Sequence, residues 1–205
     1  MKYDKQYYSL CESGHAGFHM LGQAEDSDEG LEHLMAQRSL KREVKGLGKV
    51  EVCEGNKKSF SPCDYHEIAE QMVSDKFRQV LLPFELPGVD FYPTEVTNGD
   101  KVWSNYFMMH IWNNYRAIHQ GRSVIKGSYF ENDFFLRGLS LDETLLDTVP
   151  LEERLVFRLQ EKPRFLFHES VVDALKAADL SGVGFIRVDH WGPAAMFSDD
   201  DLGDL

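Results

Sequence analysis

Apolar residues along the chain switch between helical and strand spacing, and the same glycine phrase closes the switch twice. Phe77, Val80 and Leu81 are spaced for one helical face, and Val171, Ala174 and Leu175 repeat that spacing ninety-four residues later. Each set runs into a matching phrase, Leu86-Pro-Gly88-Val89-Asp-Phe91 and then Leu180-Ser-Gly182-Val183-Gly-Phe185. A helix commonly ends on a residue of positive φ, which glycine reaches without the Cβ penalty. The phrase therefore predicts a repeated unit of helix, glycine turn and strand.

Other segments are read in the same way. Tyr3, Tyr7 and Tyr8 predict an opening strand or hairpin over residues 2–10 and 16–21, turned at Gly14 and Gly17. The acidic, turn-rich loop 24–30 precedes a predicted helix from Leu31 to about Arg42, whose N-terminal dipole favours nearby carboxylates. Val50 and Val52 mark a short strand. Pro62 and Asp64 then mark a helical start, and Ile68, Met72, Phe77 and Leu81 carry an apolar face through one or two helices to Pro83. From Val89 a strand runs toward Val96, turns at Asn98-Gly99-Asp100 and returns as the aromatic strand Lys101 to Trp112. Residues 113–120 fit helix or turn. Phe134 to Leu136 and Leu155 to Gln160 read as strands, with a turn and short helix between them, and Phe165 to Phe167 extends toward a helix from Glu169 to Ala178. Strands and helices mix without a strict βαβ rhythm, so the predicted class is α+β, with mixed or antiparallel sheets and packed helices. The chain reads as one domain, or as two fused subdomains over 1–60 and 61–189, followed by an acidic tail at 190–205.

With 42% hydrophobic residues in 205, the chain has enough apolar material for a sizeable core and too much for a wholly solvated polymer. Its formal charge of −12 excludes nucleic acid as a natural partner, because phosphate is bound by clustered Lys and Arg, and the densest basic run here, Arg38 to Lys45, is interrupted by Glu43. The surplus acid has two explanations, solubility or attraction to a basic protein. Cys11, Cys53 and Cys63 are too few and odd in number for a secreted disulfide framework, and Met1 to Leu10 lacks the apolar core of an export signal. The longest apolar stretch, Tyr106 to Trp112, falls far short of the roughly 20 residues that span a bilayer. A cytoplasmic protein with no membrane partner is the expectation.

Candidate chemistry is sparse. Cys11, His15 and His19 would share one helical face, but Gly14 and Gly17 oppose that helix, and Cys53, Cys63 and His66 lack the spacing of a zinc knuckle. Cys63 with His66 forms at most a chance thiol–base pair, and the chain has no nucleophile elbow, P-loop or dinucleotide fingerprint. Glu152-Glu153 and Asp199 to Asp201 read as solvated charge. No catalytic, cofactor or metal residue is assigned. The residues best suited to meet a protein partner are Glu25, Asp26, Asp28 and Glu29 in the acidic loop, with Trp191, Asp199, Asp200 and Asp201 in the tail, where acidic and large apolar side chains interleave. Two other classes stay open: a small hydrolase or transferase whose dispersed site would gather His66, His110 and His119, and a regulatory module for a small ligand.

Two blocks carry a family resemblance. Residues 87–124, with Gly88-Val-Asp-Phe-Tyr-Pro-Thr-Glu-Val96, the Asn98-Gly-Asp100 turn, the strand Tyr106 to Trp112 and Arg122-Ser123, resemble the central block of a polymorphic-toxin immunity family once catalogued as a domain of unknown function. Val156 to Leu159, Phe167 to Ser170 and the second glycine phrase resemble its carboxy-terminal block. The resemblance implies a cytoplasmic protein that binds a cognate toxin and blocks it, without enzymatic activity or cofactor. The chain departs from it at Asn114-Tyr115-Arg116, where similar proteins carry an acidic residue, and at His168, where a small helix-starting residue is common.

Overall fold

The computed structural model describes residues 1–13, 19–34, 36–55, 57–67, 71–129 and 133–192. Its organisation follows from two places where a strand turns directly into a helix. β5 (Gln71–Ser74) passes into α1 (Asp75–Leu81), where the Ser74 hydroxyl accepts from the Phe77 amide at 3.1 Å. β12 (Phe165–His168) passes into α3 (Glu169–Ala177), where His168 Nδ1 accepts from the Ser170 amide at 3.3 Å. Both side chains satisfy an amide that the helix itself leaves unpaired. After the helices, Glu85 and Asp179 adopt φ of 48° and 49°, and Gly88 and Gly182 follow at 71° and 75°. The chain then enters β6 (Val89–Asn98) and β13 (Val183–Arg187).

In each passage a third strand fills the gap between the two that flank the helix. β1 (Tyr7–Glu12) lies between β12 and β13 and is antiparallel to both. β7 (Lys101–Ile111) lies between β5 and β6, again antiparallel to both. The first sheet is completed by β11 (Val156–Leu159) and β8 (Asn114–Tyr115) in the order β13-β1-β12-β11-β8. In the second, β2 (His19–Gln23), β3 (Gly48–Gly55) and β4 (Tyr65–Glu67) give the order β2-β3-β6-β7-β5-β4. β9 (Val124–Ser128) and β10 (Asp133–Gly138) pair only with each other among the described strands. The short helix α2 (Glu143–Leu146) is capped by Asp142. The fold is thus mixed α and β, dominated by sheets with few helices.

One core joins the two sheets through the helices: Phe77 and Leu81 of α1 and Val171, Val172 and Leu175 of α3 pack with Met109, Ile111, Phe167 and Phe185. Arg78 lies 4.7 Å from the centroid of Phe107 and 5.9 Å from that of Phe91, while Lys176 lies 5.3 Å from Phe185 and 5.8 Å from Tyr8. Each longer helix therefore lays its cation over an aromatic pair on its own sheet. A second core, around Tyr92, Met108 and Val50, covers the other face of the six-stranded sheet, and a third, around Tyr7, Phe157 and Leu166, covers the other face of the five-stranded one.

The two phrase glycines have a testable consequence. A Cβ at Gly88 would run into Asn113, and one at Gly182 into Cys63. Gly88→Ala and Gly182→Ala should each cost about 1–3 kcal/mol in urea unfolding, since the αL penalty adds to the contact. Asp179→Gly, also at positive φ, should leave stability unchanged or raise it by up to about 1 kcal/mol.

Several expected elements are replaced. The helix over 31–42 is a single 3₁₀ turn at Glu29–His33, followed by irregular chain. Leu31, Leu34, Leu40 and Val44 do bury together, but they cover the six-stranded sheet from a loop pinned by Asp28. The helix drawn through Met72 is instead the hairpin β4–β5, because Gln71 to Ser74 pair with β7 and are buried on both faces; Ile68 lies outside the described residues. The opening hairpin does not form: β1 and β2 belong to different sheets, and Gly14, His15 and Gly17 lie outside the described residues. Strand pairing crosses residue 60 in both sheets, through β1 with β12 and through β3 with β6.

Candidate functional site

A cleft of about 460 Å³ opens where the end of β1 meets β4, the turn between β11 and β12, and Trp191. Pairing places its charged groups. Glu12 stands opposite Val183 at the last rung of β1, and its Oε1 accepts from the Glu67 amide of β4 at 2.9 Å, which ties the two sheets together. In the β11–β12 turn, the Arg164 amide donates to the Lys162 carbonyl at 2.7 Å, and the Arg164 carbonyl accepts from Leu159 at 2.8 Å. Its guanidinium then reaches Glu67 Oε1 at 3.5 Å and lies 5.3 Å from the ring centroid of Trp191. Trp191 follows the 3₁₀ turn Val188–His190 and donates its amide to the Val188 carbonyl at 3.1 Å.

Removal from water pushes the Glu67 carboxyl above its ordinary range; the Arg164 guanidinium opposes this, and the neighbouring Glu12 carboxylate adds to it. The two carboxylates therefore share a solvent-open cleft with one cation. His66 completes the group. Its Nε2 accepts from the Cys63 amide at 2.9 Å, so the neutral ring carries its proton on Nδ1, 3.4 Å from Glu12 Oε1.

That bond overturns the thiol–base reading of Cys63 and His66, because the imidazole lone pair is taken by a backbone amide. Burial also raises the Cys63 thiol, which disfavours the nucleophilic thiolate. His66, His110 and His119 stand on separate elements: His110 Nε2 donates to the Ala36 carbonyl at 2.9 Å behind β7, and His119 lies in the turn bonded to Ser140. Among the described residues no group of three His, Cys, Asp or Glu is placed to hold a metal, and His15 lies outside them. Cys11, Cys53 and Cys63 form no disulfide.

The acidic loop is divided by role. Glu25 and Glu29 are exposed, and exposed Asp26 pairs with Lys49. Asp28 turns inward, accepting from the amides of Gly30 at 2.7 Å, Gly46 at 2.5 Å and Lys45 at 3.3 Å. The Gly30 bond above all holds its carboxyl below the ordinary range. Asp28→Ala should lower the urea midpoint of the whole chain, whereas Glu25→Ala and Glu29→Ala should leave it unchanged. Trp191 is half-buried against the third core and walls the cleft. Asp199, Asp200 and Asp201 lie outside the described residues. Glu12, Glu67 and Arg164 went unnoticed in the sequence: each is a single charge in an ordinary strand or turn, and they meet only because β12 pairs with β1 and the end of β1 meets β4 of the other sheet.

No helix of the described residues is long and apolar enough to cross a membrane. The chain matches no protein-family model and no curated protein.

Proposed function

We propose that this chain is an immunity-type protein of the cytoplasm that binds a basic toxin or effector and neutralises it by contact, without catalysis or cofactor. The observation that carries the reading is the cleft itself: two carboxylates beside a tryptophan, on a chain of formal charge −12, suit a cationic side chain of a protein partner. The exposed Glu25, Asp26 and Glu29 extend the same sign of charge elsewhere on the surface. Further support comes from His66, whose Nε2 lone pair is held by the Cys63 amide. The two strand–helix–strand passages are read as copies of one unit, supported by their constant offset of ninety-four residues and by the paired glycines, and they serve as scaffold.

The test is co-expression with the product of the adjacent gene. Rescue of growth and a complex that survives purification at low salt but weakens at moderate salt are the expected results. A harmless neighbour with no complex would sink the immunity reading and favour a small-ligand module.

A further inference from the structure

The cleft already contains an example of what it binds. Arg164 places its guanidinium against the Trp191 ring and within reach of Glu67, so this wall accommodates a planar cation between an aromatic face and a carboxylate. One cation does not balance the site. Glu12 and Glu67 both face the opening, and His66 can meet Glu12 through its neutral Nδ1–H, which brings no charge. Two carboxylates against one guanidinium leave a negative charge uncompensated in a cleft where each of the three side chains is a little under half exposed. Among the described residues the rest of the lining supplies no further charge: Ser9 and Cys11 are small, and Leu136 and Ile186 offer an apolar wall. A second cation would therefore find a carboxylate at its head and hydrocarbon along its stem, in a volume within the usual range of ligand sites, roughly 300–1,000 Å³.

We infer that the cleft bounded by Glu12, Glu67 and Trp191 is a binding site for a guanidinium on an alkyl stem, the side chain of an arginine presented by the partner. The inference rests on the reading above for the source of the arginine, whereas the site's chemistry stands on its own geometry. The bound guanidinium would bridge Glu12 and Glu67 beside Arg164, and its stem would run over Ile186.

The test uses the full chain labelled with ¹⁵N, whose three tryptophans, Trp103, Trp112 and Trp191, give separate indole resonances. N-acetyl-arginine amide should shift the Trp191 indole saturably, with the assignment made by Trp191→Phe, while N-acetyl-glutamine amide should not. Glu12→Gln with Glu67→Gln should weaken binding by roughly tenfold, the scale of one lost charged contact. That double variant retains a side-chain oxygen for the Glu67 amide, and its thermal melt checks that it folds. Equal shifts from the glutamine compound, or unchanged affinity in a folded double variant, would overturn the site. Saturation without any complex with the neighbouring gene product would uphold the site and assign it to a free guanidinium compound. A complex whose affinity is the same in the double variant would overturn the arginine contact while leaving the immunity reading intact.

Discussion

Phe167→Ala is expected to lower the unfolding free energy by about 3–5 kcal/mol, the usual loss for a large aromatic removed from a packed interior. Phe167 is fully buried in β12, where it pairs with Tyr8 on one side and Val156 on the other. Its ring belongs to the core in which α1 and α3 join the two sheets, so a cavity there loosens both sheets at once. Urea unfolding followed by circular dichroism and by tryptophan fluorescence should give one coincident transition for the wild type, displaced as a unit in the variant. Two separated transitions would mean that the sheets unfold independently. Phe135→Ala supplies the contrast: that ring is 73% exposed on β10, and its loss should stay within about 0.5 kcal/mol.

The sequence was legible where a local rule and the tertiary environment agree. Gly88 and Gly182 do take positive φ, but in the turns that enter β6 and β13, whereas the positive-φ residues nearest the helix ends are Glu85 and Asp179; Asn98-Gly99-Asp100 makes the hairpin between β6 and β7, with Gly99 at φ 59°. The aromatic strand divides its rings between faces as the alternation implies, Tyr106 to one core and Phe107 to the other. Periodicity failed where burial was read without a partner. Met72 fits a helical stripe with Phe77, but its neighbours Gln71 and Val73 are equally buried, a sign of a strand covered on both faces. Leu31, Leu34 and Leu40 show the same limit, because a loop can bury leucines at helical intervals when one inward carboxylate, that of Asp28, holds its amides. The cleft was illegible for a different reason. Its charges come from residues 12, 67 and 164, brought together by the pairing of β1 with β12 and by the approach of the two sheets at Glu12 and Glu67. Of the residues proposed beforehand as partner contacts, only Trp191 lines it among the described residues.

Asp90→Asn should cost about 2–4 kcal/mol at neutral pH, because it removes a buried charge from a set of donors arranged to meet it. Asp90 is 4% exposed on β6. Its Oδ2 accepts from Ser39 Oγ at 2.6 Å and from Trp112 Nε1 at 3.0 Å, and Lys41 Nζ lies 2.7 Å from Oδ1. The bond from Ser39 and the pair with Lys41 fasten the irregular segment after the 3₁₀ turn Glu29–His33 onto the six-stranded sheet. Burial alone would raise the Asp90 carboxyl, but the bonds from Lys41, Ser39 and Trp112 together outweigh it and hold the group below its ordinary range. A carboxyl depressed in the folded state stabilises the fold above its unfolded pKa, near 3.9, and that contribution is lost as pH falls through the folded value. The Asp90 carboxyl's own share of the gap between wild type and Asp90→Asn should therefore be constant from pH 7 to about pH 5 and be lost below about pH 4. Burial holds His110 and His168 below the ordinary histidine range, so the unfolded chain takes up their protons first, and stability declines as pH drops below about 6.5. The His168 decline belongs to both proteins and cancels in their difference, whereas the Asp90 charge raises His110, so its removal lowers His110 further and widens the gap somewhat below about pH 6.5; the narrowing below pH 4 remains the signature of the Asp90 carboxyl itself. Guanidinium unfolding of the two proteins at pH 7, 5 and 3.5 measures it, and a gap that persists undiminished at pH 3.5 would assign the cost to packing instead of charge.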